Sequence, residues 1–526
     1  MNYNLAQGFY QSSLHFPENT ALAVGSRELS YFELRQTVQP IGDWLLRNSH
    51  EVAPRVGLLA SRSVMTFAGI LGACWAGGTY VPISTKLPED RLIQLLDLIQ
   101  AHVLLVDSED LPLLSERVLA HCPRLILAPD LDTSVELCAR RGGNLVAAGR
   151  DQLRPFQIGD CPVEVKPDHT AYIIFTSGTT GIPKGVMIPA SAVSHFVDTM
   201  RTRYPLQPSD RIAGMTEITF DISVFDMFVV WSAGSSLLVV PASQLMAPGG
   251  FVRKTACTVI FTVPSVISGM QRMKLLTPNS MPSLRYAFFA GEPLPVTSAS
   301  NWIQAAPNSI VEDLFGPTEA TVVCIGQRFL GPGSATPNRG VVAIGEPFPQ
   351  MEAAIANSAL EFLENGERGE LLLAGPQLSS GYFRDQELTR KCFPIVAGRR
   401  WYRTGDLAYC DVSGTFHHLG RIDNQVKVRG LRVELEEVEW YLREIYRTDS
   451  VAAVGWPVEH GSANGIVAFV SGQYGEDNLE RRGQIKDRLP SYMVPSAVHF
   501  VDSLPLNANG KVNRKQLLTL LGEGKL

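Results

Sequence analysis

At 526 residues the chain is too long for one ordinary hydrophobic core, so two or more packed units are expected. Its 45% hydrophobic and 19% charged residues exclude a disordered chain and supply apolar material for large cores. A net charge of −6 leaves no basic excess to neutralise a phosphodiester backbone, which argues against a nucleic-acid partner but leaves room for one bound nucleotide.

In chain order, Met1 to Leu5 has neither the basic start nor the apolar run of a signal peptide. Thr66 to Ile83 holds 18 residues without a charge, yet its glycines, small polar residues and Pro82 read as a buried helix, a turn and a strand, not a membrane span. The eight cysteines (Cys74, Cys122, Cys138, Cys161, Cys257, Cys324, Cys392, Cys410) lack C-x-x-C or metal-ligand spacing and read as buried or idle thiols of a reducing cytosol. A cytoplasmic protein with no membrane partner is expected. From about residue 20 to 345, apolar runs alternate with helical patterns such as 88–100. The runs 56–60, 103–107, 212–215, 237–240 and 259–262 predict buried parallel strands in an α/β architecture. After 345, the runs 370–374 and 414–418 predict antiparallel strands. The glycine-started, polar segment 420–425 reads as a linker. A helix over 434–447 and strands over 451–458 and 466–470 then predict a small α+β domain, so the expected division is 1–420 and 421–526.

The strongest local signal runs from Tyr172 to Gly185. An apolar strand leads into Thr176, Ser177, Gly178, Thr179, Thr180 and Gly181, and the loop closes on Lys184. Glycines let backbone N–H groups approach an anion, hydroxyls add donors and the lysine adds charge, as phosphate binding requires. Gly185 follows the lysine, so the spacing is not that of a Walker loop.

This segment resembles the phosphate loop of the adenylate-forming superfamily of acyl-CoA synthetases, luciferases and nonribosomal peptide synthetase adenylation domains. Six further segments resemble family motifs in order: Leu71 to Ile83, Phe220 to Asp226, Leu314 to Glu319, Tyr402 to Asp406, Gly420 to Gly430 and Leu506 to Val512. The resemblance covers about residues 20 to 517. It implies a large N-terminal domain of mostly parallel sheets with a β-barrel-like subdomain, and a small mobile C-terminal domain. It also implies ATP and Mg²⁺ as cofactors. By resemblance, Thr176, Ser177, Gly178, Thr179, Thr180 and Lys184 hold phosphates, Phe315 and Gly316 the adenine, and Asp406 the ribose hydroxyls. Arg421 contacts ribose or phosphate, Thr318 touches the α-phosphate and Glu319 holds the metal. Phe315 stands where the family more often has Tyr, which keeps stacking and loses a hydroxyl. Lys511 bridges the attacking carboxylate and the α-phosphate, where a cation stabilises the transition state. Asp423 is the hinge about which the small domain turns between half-reactions.

Asp221 occupies the position that pairs with the substrate ammonium in amino-acid-activating members; alone, it would read as a helix cap. The pocket positions carried over are Phe225, Phe261, Phe288, Ala290, Leu314, Val322 and Val323. Three phenylalanines shrink a pocket, which favours a small neutral amino acid, while Asp226 keeps a β-amino acid open. The sequence ends soon after Lys511 and has no carrier segment, so a stand-alone enzyme serving a separate carrier protein in natural-product biosynthesis is expected. A CoA ligase for another acid and a non-catalytic nucleotide-binding scaffold remain as alternatives.

Overall fold

Runs of Val, Ile and Leu that carry no polar alternation form strands when both of their faces are covered. In the computed structural model, which describes residues 2–131, 146–153, 160–178, 183–459, 461–471, 479–506 and 512–524, these runs build two large sheets. The nine-stranded sheet has a parallel centre of Ile310–Phe315, Tyr286–Ala290, Val259–Thr262, Arg211–Gly214, Ser236–Val239 and Thr20–Val24. The eight-stranded sheet sets Thr79–Ile83, Arg55–Leu59, Val103–Leu105, Leu125–Leu127 and Val146–Ala148 in parallel beside the hairpin of Thr170–Thr176 and Lys184–Pro189.

The uncharged stretch 66–83 is internal. Ser63 accepts a hydrogen bond from the Thr66 amide and caps the helix Val64–Trp75, which is buried almost throughout. Gly72 lets that helix meet Tyr31–Asn48, since a Cβ there would lie 2.5 Å from Ile41 Cγ2. Among the described residues no helix is long and apolar enough to cross a membrane.

A four-stranded antiparallel sheet of Glu352–Ala356, Gly369–Ala374, Tyr402–Cys410 and Phe416–Arg421 follows. The smaller C-terminal domain begins with the hairpin Gln425–Val428 and Leu431–Glu434, whose turn places Arg429 and Gly430 at φ +52° and +80°. Helix Leu435–Tyr446 then packs Val438, Leu442 and Tyr446 against Val451, Ala453, Ala468 and Val470. The first strand there ends at Gly455 and not at 458, because Pro457 lacks a ladder donor.

Candidate active site

Two strand ends and the middle of a third strand meet at one cleft. Thr170–Thr176 delivers Thr176, Ser177 and Gly178; Ile310–Phe315 delivers Phe315 and then Thr318 and Glu319; Tyr402–Cys410 delivers Asp406. A central cavity of about 290 Å³ is lined by Thr176, Ser177, Asp221, Ala290, Phe315 and Thr318, among others. A second, of about 210 Å³, shares Phe315, Asp406, Arg421 and Lys427 with it and adds Asp313, Leu314 and His418. A third, of about 310 Å³, adjoins the first across Thr176, Phe220, Leu431 and Tyr492.

In the second cavity Asp406 and Arg421 face each other as register partners on adjacent antiparallel strands. Arg421 Nη1 donates to Asp406 Oδ1 at 3.1 Å and to the Thr404 carbonyl at 2.9 Å. His418 Nε2 lies 3.1 Å from the same Oδ1. Burial alone would raise the Asp406 pKa, but His418, Arg421 and Lys427 hold it well below the usual carboxylate range. It stays ionised, as an acceptor for a diol should. The Phe315 ring lines both cavities, and Gly316 lines the central one. Asp423 takes Arg421 Nε at 2.9 Å and Nη2 at 2.5 Å, which ties the start of the C-terminal domain to the ribose-side strand pair.

On the phosphate side, Thr176 Oγ1 is buried with no hydrogen-bond partner among the described residues, at the cavity wall, an orphan that an incoming phosphate oxygen would satisfy. The other loop groups have partners from the C-terminal domain. Ser177 Oγ donates to the Arg432 carbonyl at 3.0 Å and accepts from the Glu434 amide at 3.2 Å. The Gly178 amide donates to Glu437 Oε2 at 3.0 Å, and Lys184 Nζ to Glu434 Oε1 at 2.8 Å. Thr179, Thr180 and Lys511 lie outside the described residues.

Glu319, expected to hold the metal, lines none of these cavities. It is fully buried and accepts from Tyr382 Oη at 2.8 Å and from Arg432 Nη1 at 2.8 and 3.1 Å. Burial would raise its pKa, but Arg432, Lys184 and the Tyr382 bond hold it below the ordinary value. Among the described residues no group of three or more His, Cys, Asp or Glu gathers as a metal cage. A single ionised carboxylate suits Mg²⁺, which takes its other ligands from water and phosphate. In the present arrangement Arg432 takes that carboxylate instead.

Asp221 faces the central cavity and makes no capping hydrogen bond, so the helix-cap reading falls away. Burial pushes its carboxyl up to about 6, against a hydrogen bond from Thr318. The helix after it passes through one π-helical turn, Phe225–Val229, a device common at functional sites. Ala290 and Val322 line the same cavity, whereas Leu314 lines the adjoining one. Phe225, Phe261 and Phe288 do not reach the wall, contrary to expectation. They pack edge to face at 5.3 to 5.7 Å, fully buried. Phe261 and Phe288 are register partners, one pleat before Val263 and Ala290 on the same sheet face, so the rings form a layer beneath the wall. Val323 is buried off the cavity as well, and so is Asp226, which lies toward Arg62 and Thr216.

The sequence alone assigns no role to His418, Lys427, Arg432, Glu434 or Glu437. The period-two alternation of charge along 425–434 is the signal for the hairpin residues: Lys427 lies on the first strand and Arg429 two residues on in the turn, while Arg432 and Glu434 stand two apart on the second strand.

The profile of AMP-binding enzymes matches residues 9–383, and that of the AMP-binding enzyme C-terminal domain matches residues 437–511. Polyketide synthase PksN of Bacillus subtilis (strain 168) is 31% identical over 520 residues, 97% of this chain and 9% of that protein. Enterobactin synthase component F of Escherichia coli (strain K12) is 30% identical over 519 residues, 95% of this chain and 38% of that protein. The chain therefore spans less than half the length of either curated relative. The Vibrio cholerae adenylation domain AlmE, solved in complex with glycyl-adenosine-5'-phosphate, superposes with a TM-score of 0.88 at 31% identity, covering 99% of this chain and 98% of that one.

Proposed function

Because this chain belongs to the AMP-binding enzyme family, we propose that it activates a small neutral amino acid with ATP and passes the aminoacyl group to the phosphopantetheine thiol of a separate carrier protein. The observation that carries this reading is Asp221: a partly buried carboxylate with no side-chain capping hydrogen bond, turned into the cavity beside Thr318. A carboxylate withdrawn from much of its water favours a cationic partner, and a substrate ammonium supplies one. The aromatic layer under Ala290 leaves little depth for a side chain, and AlmE was solved with a glycyl group.

In the first half-reaction the acid's carboxylate oxygen attacks the α-phosphorus. The bond from that phosphorus to its bridging oxygen breaks, and pyrophosphate leaves with the electron pair. Asp406 would hold the ribose hydroxyls, Phe315 and Gly316 the adenine, and Thr318 the α-phosphate. Thr176, Ser177, Gly178, Thr179, Thr180 and Lys184 would cradle the β- and γ-phosphates. Mg²⁺ on Glu319 would offset phosphate charge when bound. Lys511 would bridge the reacting groups, which requires 421–526 to turn on 1–420 about Asp423. In the second half-reaction the thiolate attacks the acyl carbon and AMP departs.

Pyrophosphate exchange with a panel of α-amino, β-amino, aryl and fatty acids tests the reading. Exchange with glycine or alanine is expected. Exchange confined to fatty or aryl acids would remove the amino-acid assignment, and exchange with none would favour a scaffold.

A further inference from the structure

One loop brings Gly316, Thr318 and Val322 to the central cavity and carries Glu319 behind them. It joins the antiparallel strands Ile310–Phe315 and Ile325–Arg328, and the Cys324 amide closes it on the Phe315 carbonyl at 2.9 Å. Within it Thr321 and Val322 stand at φ +56° and +67°. Both are β-branched, and the left-handed region is costly for a branched Cβ. Glycine would sit there without strain, yet the chain uses two residues that resist the conformation.

The turn is held from outside the loop, chiefly by one side chain. Gln377 is fully buried and directs Nε2 to three carbonyls of the turn, Val323 at 2.9 Å and Ala320 and Thr321 at 3.2 Å each. Thr321 Oγ1 returns a hydrogen bond to the Gln377 carbonyl at 2.6 Å, and the Ser379 amide donates to the Glu319 carbonyl at 2.8 Å. His195 Nδ1 lies 3.2 Å from Gln377 Oε1, so the far end of the amide is engaged as well. Three acceptors on one side admit only the NH₂ end of an amide. On its other side the turn lies against Gly316, where a Cβ would fall 2.4 Å from Val323 Cα and 2.6 Å from the Val322 carbonyl oxygen. Held this way, the turn sets Val322 at the cavity wall and buries Val323 away from it.

Strained backbone persists only where its surroundings over-determine it, and it collects where a site needs fixed geometry. We infer that Gln377 is a positioning residue of the acid site: it holds the strained turn that presents Val322 at the wall, and so sets which acids fit. It lines none of the three cavities itself. The adenine side does not depend on it, because Phe315 is fixed by its own pairing with Ile325. The inference rests on the reading of the cavity as an acid site, but not on which acid is activated.

Gln377→Met keeps the length of the side chain and removes the donor. Pyrophosphate exchange gives KM and kcat for the acid that the wild type exchanges, calorimetry gives the Kd for ATP, and crystal structures of the free protein give the φ angles. With three buried carbonyls unpaired, KM for the acid should rise about tenfold or more while the Kd for ATP stays within about twofold. Val322 should leave the left-handed region. In a Val322→Gly background, where that φ carries no penalty, Gln377→Met should raise KM by less than about threefold. Equal rises in both backgrounds, equal losses for acid and ATP, or a Val322 still left-handed in Gln377→Met would each overturn the inference. If Gln377→Met does not fold, Gln377→Asn decides in its place, since it keeps the amide but is too short to reach all three carbonyls. A KM about threefold higher with ATP binding unchanged is then expected, and an unchanged KM would overturn the inference. A wild type that exchanges no acid removes the reading of the acid site, and the φ angles still decide whether Gln377 holds the turn.

Discussion

Phe288→Ala should convert the proposed small-acid enzyme into one that accepts branched side chains. The Phe288 ring packs on Tyr204 at 4.6 Å, on Phe225 at 5.6 Å, and on Phe261 and Tyr286 at 5.7 Å each. It stands one pleat below Ala290, which lines the central cavity. Truncation removes the ring directly under the acid site and joins its volume to the cavity. Stability should fall by about 3–5 kcal/mol, the usual figure for a buried Phe→Ala, less whatever the neighbouring rings recover by collapse. A leucine side chain entering that space buries roughly four carbons at about 0.8 kcal/mol each, or about 3 kcal/mol. The ratio of kcat/KM for leucine over glycine should therefore rise by about two orders of magnitude. Pyrophosphate exchange with glycine, alanine, valine and leucine measures it, with thermal unfolding in parallel. A ratio that does not move while the unfolding midpoint drops would refute the placement of the rings beneath the acid site.

The Asp221 carboxyl, raised to about 6 by burial, must be ionised to hold an ammonium. The KM for the amino acid should therefore rise about tenfold per pH unit below that value and be flat above it, as a pH series of exchange rates will report. The same shift lies above the unfolded value of about 3.9, so the stability it contributes is present at low pH and lost as pH rises through about 6. Asp221→Asn should consequently stabilise the free protein at pH 8 by up to about 3 kcal/mol, seen as a higher denaturation midpoint. Lys511→Ala should slow adenylate formation by a hundredfold or more, worth on the order of 3 kcal/mol, with ATP affinity by calorimetry nearly unchanged. Asp423→Pro should leave one half-reaction intact and impair the other, read by separate adenylation and thiol-loading assays; equal effects on both would count against the hinge.

The parallel core was legible in the sequence because strands buried on both faces carry continuous apolar runs, as Val56 to Leu59 and Val259 to Thr262 do. The places of Asp221, Asp406 and Phe315 at the cavity walls were legible because two sit in motifs whose chemistry calls for a carboxylate and the third where a flat ring is called for. The depth of Phe225, Phe261 and Phe288 was not, since the strand residues two positions apart share a face, and only the end of the strand decides that Ala290 and not Phe288 reaches the wall, while Phe225 is placed by a π-helical turn. The pairing of Glu319 with Arg432 was hidden for another reason. The partners are 113 residues apart and meet only once the hairpin docks on the loop. Asp226 misled in the same way as the rings: beside Asp221 in sequence, it sits in the π-helical turn and is carried toward Arg62.

The most direct test of the ammonium anchor compares glycine with acetate, its deamino counterpart, in pyrophosphate exchange by the wild type and by Asp221→Asn. Leaving a buried charge unpaired costs about 2–5 kcal/mol, so the wild type should prefer glycine by a factor of about 30 or more, and Asp221→Asn should lose most of that preference. Equal preference for glycine in both proteins would contradict the assignment.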